Sequence, residues 1–272
     1  MPIFFIYITI LFFCFPITAY ATTLSAREIM QKVEDREDGN NETSKMEMIL
    51  IDKKGNRRIR KISSFSKDAG KDSMRLLFFM HPADVKNTGF LTYDYDDPER
   101  DDDQWLYLPA LYKTKRIATN RKSGSFMGSD LTYADMTSRV LDDYEFSIIK
   151  EDEIKGQKVW MILAAPNKEA IDETGYTKSI LFVGQDNFVV LRAIHWLKKG
   201  KKLKYYDVKK LELIDNVWVA IETHITIKKG QKKLHKTILS LYDTKFNQKL
   251  DKNLFTIRQL EKGLKGNYGK LP

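Results

Sequence analysis

The second half of the chain leaves little choice of fold. Seven β-rich runs follow one another: Glu145 to Ile149, Lys158 to Leu163, Thr177 to Val183, Val189 to Leu197, Lys202 to Ile214, Val217 to Ile227 and Lys233 to Tyr242. Turn signals separate several of them, at Gln185-Asp186-Asn187, Asp215-Asn216 and Lys229-Gly230. Short strands joined by tight turns argue an antiparallel meander and against βαβ units. The first half adds more of the same. Met46, Met48 and Leu50 alternate with outward positions, a Lys53-Lys54-Gly55-Asn56 turn follows, and Arg57 to Phe65 returns. Met74, Leu76, Phe78 and Met80 share one face of a run that is apolar on both faces, and Gly89 to Tyr95 and Trp105 to Leu108 flank an acidic loop. Ten or eleven strands in one sheet curl strongly. The expected fold is therefore mainly β with short helices, a strongly curled antiparallel sheet forming an open half-barrel.

One helix is clear before the strands begin. Leu24 to Arg36 places Ala26, Ile29, Met30 and Val33 on one apolar face. Ser25 and Glu28 make a capping box, and Leu24 with Ile29 a hydrophobic staple. A helix this short is marginal alone, so it must lie against the sheet.

Residues 3 to 15 are almost wholly apolar and are followed by Ala19-Tyr20-Ala21. An apolar run too short for a comfortable membrane span, ahead of an A-x-A pattern, reads as a secretory signal peptide cut after Ala21. The division expected is a signal peptide over 1–21 and a single half-barrel domain over 22–272; the alternative is an uncleaved anchor. Cys14 is the one cysteine and falls inside the signal, so the mature chain has no thiol, disulfide or cysteine metal site. No cofactor or metal is called for. The formal charge is +9 at pH 7, and much of the basicity gathers at Lys113 to Lys122, Lys198 to Lys204 and Lys228 to Lys236. These clusters sit between strands as solvated turns; the functional alternative is attraction to anionic lipid head groups or an acidic partner. No nucleic-acid motif is present.

The stretch Asp101 to Met136 reads DDDQWLYLPALYKTKRIATNRKSGSFMGSDLTYADM. The acids between Asp94 and Asp103 lack the spacing of a calcium loop and read as a solvated loop or a docking surface for a basic partner. Gly124 and Gly128 flank an apolar tip, Phe126-Met127, and Ser129 or Asp130 can cap a short helix in which Tyr133, Met136 and Val140 share a stripe. The DDDQWLYLPAL and SFMGSDLTYADM blocks resemble the periplasmic outer-membrane lipoprotein-sorting (LolA-like) family, and more closely the branch associated with RND- or MMPL-type exporters. That resemblance implies helices covering the open face of the half-barrel, displaced by the acyl chains of cargo. Carried over, the lid is Phe126, Met127, Leu131, Tyr133 and Met136. The candidate ligand cavity is Met46, Met48, Leu50, Met74, Leu76, Phe78, Met80, Trp105 and Tyr107, because Met and aromatic side chains suit varied acyl chains. An ordinary core rich in Met, with the lid as a plug, is the other reading of the same residues.

No catalytic residue stands out. His81, His195, His224 and His235 are scattered, and neither H-E-x-x-H nor G-x-S-x-G occurs. The function expected is a periplasmic carrier or chaperone that moves a lipid or lipidated ligand across the envelope, with an inner-membrane exporter as donor and an outer-membrane acceptor. The rival is a non-catalytic adaptor of an export complex, with a filled core and no ligand. N-terminal sequencing of secreted protein should begin at Thr22; a chain still carrying Phe4 to Phe15 would overturn the cleavage.

Overall fold

The structure, a computed structural model, describes residues 23–264; the expected signal peptide, 1–21, and Cys14 lie outside them. Helix α1 (Ala26–Glu34) opens the described chain, with the capping box formed as expected: the Glu28 amide donates to Ser25 Oγ (3.2 Å) and the Ser25 amide to Glu28 Oε2 (2.7 Å). Six strands follow, β1 (Thr43–Ile51), β2 (Arg57–Ala69), β3 (Asp72–His81), β4 (Gly89–Asp94), β5 (Asp103–Leu108) and β6 (Lys113–Arg116). After a long irregular connection come β7 (Tyr144–Ile154), β8 (Gln157–Pro166), β9 (Tyr176–Gly184), β10 (Val190–Leu197), β11 (Leu203–Ile214), β12 (Val217–Lys229) and β13 (Lys232–Lys245).

All thirteen strands form one antiparallel sheet in the order β6-β5-β4-β3-β2-β1-β13-β12-β11-β10-β9-β8-β7. The sheet is open: its edges, β6 and β7, are not paired. The order shows how the chain builds it. Strands β1 to β6 step outward from the middle, β7 to β13 step back inward from the far edge, and β13 closes on β1 with Met48 opposite Leu239.

The strand count exceeds the ten or eleven expected, in part because the basic segment from Lys113 opens as β6, with Lys115 opposite Leu106. An edge strand made of Lys and Arg discourages further pairing, so a run that reads as a turn is instead a blunted edge. Two further helices escape the sequence pattern. α2 (Lys168–Thr174) is capped by Asn167, whose Oδ1 accepts from the Ala170 amide, and ends on Gly175; α3 (Ile257–Lys262) is capped by Thr256. Both are too short to display a helical period.

The two faces of the sheet are covered by different parts of the chain. On the crossover face, α1 packs Ala26, Ile29 and Met30 against Ile162, Leu181, Val183 and Ala193. Beside it the connection between β6 and β7 lies over Met48, Leu50, Ile62, Leu77, Phe79, Phe90 and Leu106. On the tail face the row Phe65, Leu76, Leu91 and Trp105, each opposite the next across four strands, is covered by Leu250, Leu254, Phe255 and Leu260. The Tyr93 hydroxyl donates to the Phe255 carbonyl (2.5 Å), and the Asn247 amide to the Asn40 carbonyl (2.8 Å), fixing the tail in place.

Gly89 is where this tail packs most tightly. A Cβ there would sit 2.5 Å from Leu260 Cδ1 and 3.0 Å from Phe78 Cε1. Gly89→Val is expected to destabilise the fold by about 1–3 kcal/mol through overpacking, seen as a lowered Tm, with part of the loss recovered in combination with Leu260→Ala. An unchanged Tm would show that the tail moves aside at no cost.

Candidate functional site

The connection from β6 to β7 has to travel from one edge of the sheet to the other, and it does so across the crossover face. Its path is irregular. The expected capped helix is absent: residues 126–128 and 134–136 are single 3-10 turns, and Met127 and Gly128 take positive φ (50° and 72°). Asp130 does not cap a helix. Its amide donates to Thr237 Oγ1 (2.9 Å), and its Oδ2 accepts from the Thr237 hydroxyl (2.8 Å) and meets His235 Nδ1 (2.9 Å), binding the connection to the middle of the sheet. Arg60 donates to the Met127 carbonyl and Gln104 to the Tyr133 carbonyl.

The tip is buried, not exposed. Phe126 is 1% exposed and sits 4.9 Å, centroid to centroid, from Phe90 and 5.6 Å from Tyr133. Leu131 is buried beside it, and Met127, Tyr133 and Met136 are partly buried against the same floor. All five expected lid residues thus lie on one surface. The expected cavity residues do not. Met46, Met48 and Leu50 are under the connection, whereas Met74, Leu76, Phe78, Met80, Trp105 and Tyr107 are on the tail face, packed with Leu254, Phe255 and Leu260. The reason is the strand period of two: in Leu76-Leu77-Phe78-Phe79 alternate residues serve opposite faces. The floor is completed instead by Ile62, Leu77, Phe79, Phe90 and Leu106. A run apolar on both faces signals that both are covered, but does not say by what.

Beside Leu131 the face opens into a cavity of about 310 Å³. Tyr144, Val190, Ala193, Tyr206 and Ile225 give it apolar wall, while Arg139, Asp135, Lys204 and His195 give it polar wall. Lys204, 3% exposed, places Nζ 2.7 Å from Asp135 Oδ2 and also donates to the Tyr176 hydroxyl, which donates to Asp135 Oδ1 (2.7 Å). Burial alone would raise the Asp135 carboxyl. The Lys204 ammonium, the Thr132 amide and the Tyr176 hydroxyl outweigh it and hold the group well below the ordinary carboxylate range. Tyr176 moves the opposite way, pushed up by burial and by Asp135.

His195 stacks on Tyr176, ring centroids 4.5 Å apart, and its Nδ1 lies 2.7 Å from Ser179 Oγ. Burial, with Arg139 and Lys204 nearby, lowers its pKa to about 3. A Ser–His contact invites comparison with a nucleophile and its base, but the geometry does not build one. Ser179 is 4% exposed and the cavity wall stops at His195. A base with so low a pKa is also poorly matched to proton transfer near neutral pH. The pair braces the wall.

A third polar cluster anchors the start of the connection. Lys122, 1% exposed, is 2.7 Å from Glu173 on α2 and 3.8 Å from Asp102 just before β5. Nine strand spacings separate β5 from β9, about 43 Å in a flat sheet, so the sheet bends enough for one lysine to reach both ends. The acidic loop is also spent locally: Asp101 accepts from Thr119, Asp103 pairs with Arg116 (2.5 Å), and Asp94 accepts from the Ser138 amide (2.8 Å). Burial raises both Asp94 and Asp102; the Asp94 charge raises Asp102 further, while hydrogen bonds from Ser138 and Asp102 pull Asp94 back part of the way. Asp135, Arg139, Tyr176, His195 and Lys204 do not stand out as a group in the sequence, because they come from the connection and from three separate strands, β9, β10 and β11.

The buried titrating groups set an acid limit. His195 folds neutral, so between its folded value of about 3 and its ordinary 6.5 the unfolded chain binds the extra proton, and stability falls as pH drops through that window. Asp135 is also depressed, but as a carboxyl held in its charged form. Its contribution is full above the ordinary carboxylate pKa and fades only below it, so the two losses occur at different pH. Chemical denaturation from pH 7 to 4 should show the first loss, and His195→Gln should flatten it. An equal slope in both proteins would remove His195 as the cause. Asp135→Asn, which strands the Lys204 charge, should cost about 3–5 kcal/mol.

Comparison with known proteins agrees with this architecture. A family model described only as an uncharacterized protein matches residues 71–262. A DUF1329 family protein from Desulfovibrio piger is 26% identical, with 86% of this chain and 97% of that chain covered, at a TM-score of 0.78. A domain from Vibrio parahaemolyticus, described as an outer membrane lipoprotein-sorting protein, is 30% identical, with 87% and 98% covered, at a TM-score of 0.77. A LolA superfamily protein from Nitrosomonas europaea shares the fold at 15% identity, with 87% and 100% covered and a TM-score of 0.64. No curated protein matches the sequence. With 30% identity across nearly the whole of a lipoprotein-sorting protein domain, the chain belongs to the outer-membrane lipoprotein-sorting protein family, and it shares the fold of the LolA superfamily protein.

Proposed function

We propose that the protein is a periplasmic carrier that shelters the acyl chains of a lipid or lipidated protein beneath the β6–β7 connection. The observation that carries this reading is a shared wall. Leu131 and Ile225 belong both to the hydrophobic floor under the connection and to the lining of the 310 Å³ cavity. Lifting Leu131 and its neighbours joins the cavity to the floor of Met46, Met48, Leu50, Phe79 and Phe90. As it stands, the cavity is at the small end of ligand sites, so an acyl chain requires that movement.

The energies are compatible with reversible loading. Exposing Phe126, Leu131 and Tyr133 costs roughly 6 kcal/mol at about 2 kcal/mol per side chain. About eight methylenes, at ~0.8 kcal/mol each, offset it. A longer chain therefore binds, and the lid supplies the restoring force that returns cargo to an acceptor. The candidate lid is Phe126, Met127, Leu131, Tyr133 and Met136; an inner-membrane exporter of RND or MMPL type as donor, an outer-membrane acceptor, and export by a signal peptide over 1–21 complete the reading. No helix among the described residues is long and apolar enough to cross a membrane.

A second reading has its own observation. The tip fills its hollow so completely, with Phe126 at 1% exposure, that a permanently closed adaptor fits the same structure. Asp130→Cys with Thr237→Cys separates the two, since these side chains already touch and the expected mature chain has no cysteine. Oxidised protein should neither take up nor release a fluorescent fatty-acid probe, and reduction should restore both, because the probe enters only through the open population. Equal uptake in both forms would remove the connection as the lid, and none in either, together with no lipid in solvent extracts of the native protein, would favour the adaptor.

A further inference from the structure

Three hairpin tips carry most of the basicity that the cavity and its lid leave unused, and the sheet sets them side by side. Strands β2, β1, β13, β12, β11 and β10 are consecutive neighbours, so the β1–β2, β12–β13 and β10–β11 turns project from the same end. The register confirms it: Ile51 lies opposite both Arg57 and Lys236, and Lys228 lies opposite Leu203. Each tip is dense in cations, at positions 53, 54, 57 and 58; at 228, 229, 232 and 233; and at 198, 199, 201 and 202. Only the first of these tips was not conspicuous as a charge cluster in the sequence, because it contributes fewer adjacent lysines.

Almost nothing neutralises this edge. Among the described residues the ion pair of these tips is Lys198 with Asp172. The acid within the first tip, Asp52, is engaged within its own turn, its carboxylate accepting from the Lys54 and Asn56 amides and from the Asn56 side chain. Lys236, just behind the edge, has its pKa lowered by burial and then by Lys233, Lys209 and Arg57, which registers the crowding of like charge. Crowded, unpaired cations cost stability through self-repulsion, so the arrangement calls for an external partner.

We propose that this edge docks the protein on the surface of a membrane rich in anionic lipid. The composition favours a diffuse surface over a folded acidic partner. All the tip cations except Arg57 and Arg58 are lysines, which are flexible, strongly hydrated point charges, whereas recognition of placed carboxylates favours the planar fork of arginine. The tips are exposed along an edge and form no pocket, and a polybasic surface gains attraction from each charge near an anionic bilayer. The inference does not depend on the carrier reading. It does place the cavity near the bilayer, because Lys204, which holds Asp135, follows the third tip by two residues.

The test is co-sedimentation of the purified full chain with vesicles of phosphatidylcholine alone or mixed with phosphatidylglycerol. Binding is expected to the mixed vesicles only, and to fade as salt screens the charges. Changing Lys54, Lys201, Lys229 and Lys232 together to Glu should reduce it to the level seen with neutral vesicles. A matched set elsewhere, Lys71, Lys158, Lys245 and Lys252 to Glu, carries the same net charge and should retain most of the binding. Thermal melting checks that both variants fold, and the Lys→Gln forms replace any that do not. Absence of binding by the native chain, or equal loss in the two sets, overturns the proposal: the first leaves an acidic protein as the partner, and the second reduces the effect to net charge.

Discussion

The candidate site on the crossover face depends on one connection. The two meanders begin and end at the middle of the sheet, where β1 and β13 pair, and their outer strands are the two free edges. The chain can pass from β6 to β7 only by traversing the sheet. The hydrophobic face is therefore covered by two parts of the chain, α1 over one region and, beside it, the link that topology requires.

That link is held less by its own structure than by borrowed partners. It has no helix or strand of useful length, and its internal backbone bonds, such as the Phe126 amide to the Leu131 carbonyl and the Tyr133 amide to the Gly124 carbonyl, close turns on the link without tying it to the sheet. Lys122, Asp130 and Asp135 instead reach three separate places: α2, β13 with its histidine, and β11. Hydrogen bonds to charged groups contribute about 1.5–3 kcal/mol each when made, and stranding a buried partner costs more. Apolar contact supplies the grip under the tip, while these polar attachments set where the tip sits.

The sequence made the meander and the capped first helix legible, because each rests on local rules: turn residues and a capping box. It assigned the cavity less well. Met74, Leu76, Phe78, Met80, Trp105 and Tyr107 alternate as cleanly as Met46, Met48 and Leu50, and alternation tells which residues share a face without telling which face. The answer lies with Leu254, Phe255 and Leu260, more than 140 residues away in the chain. The Asp135–Lys204–Tyr176 cluster was invisible for the same reason: three ordinary polar residues acquire meaning only when the crossing connection lowers one onto two strands of the far meander.

The pairing of β1 with β13 also fixes when the molecule becomes one body. Until residues 232–245 exist, the first six strands form a half-sheet whose inner edge, β1, has unsatisfied amides and carbonyls, and β12 leaves the other half equally raw. Bare edges invite pairing with other chains, and contacts this distant in sequence form slowly. The strand made almost last is thus the keystone at the centre, not a trimming at the rim, and an incomplete chain offers two sticky fragments instead of a smaller version of the fold.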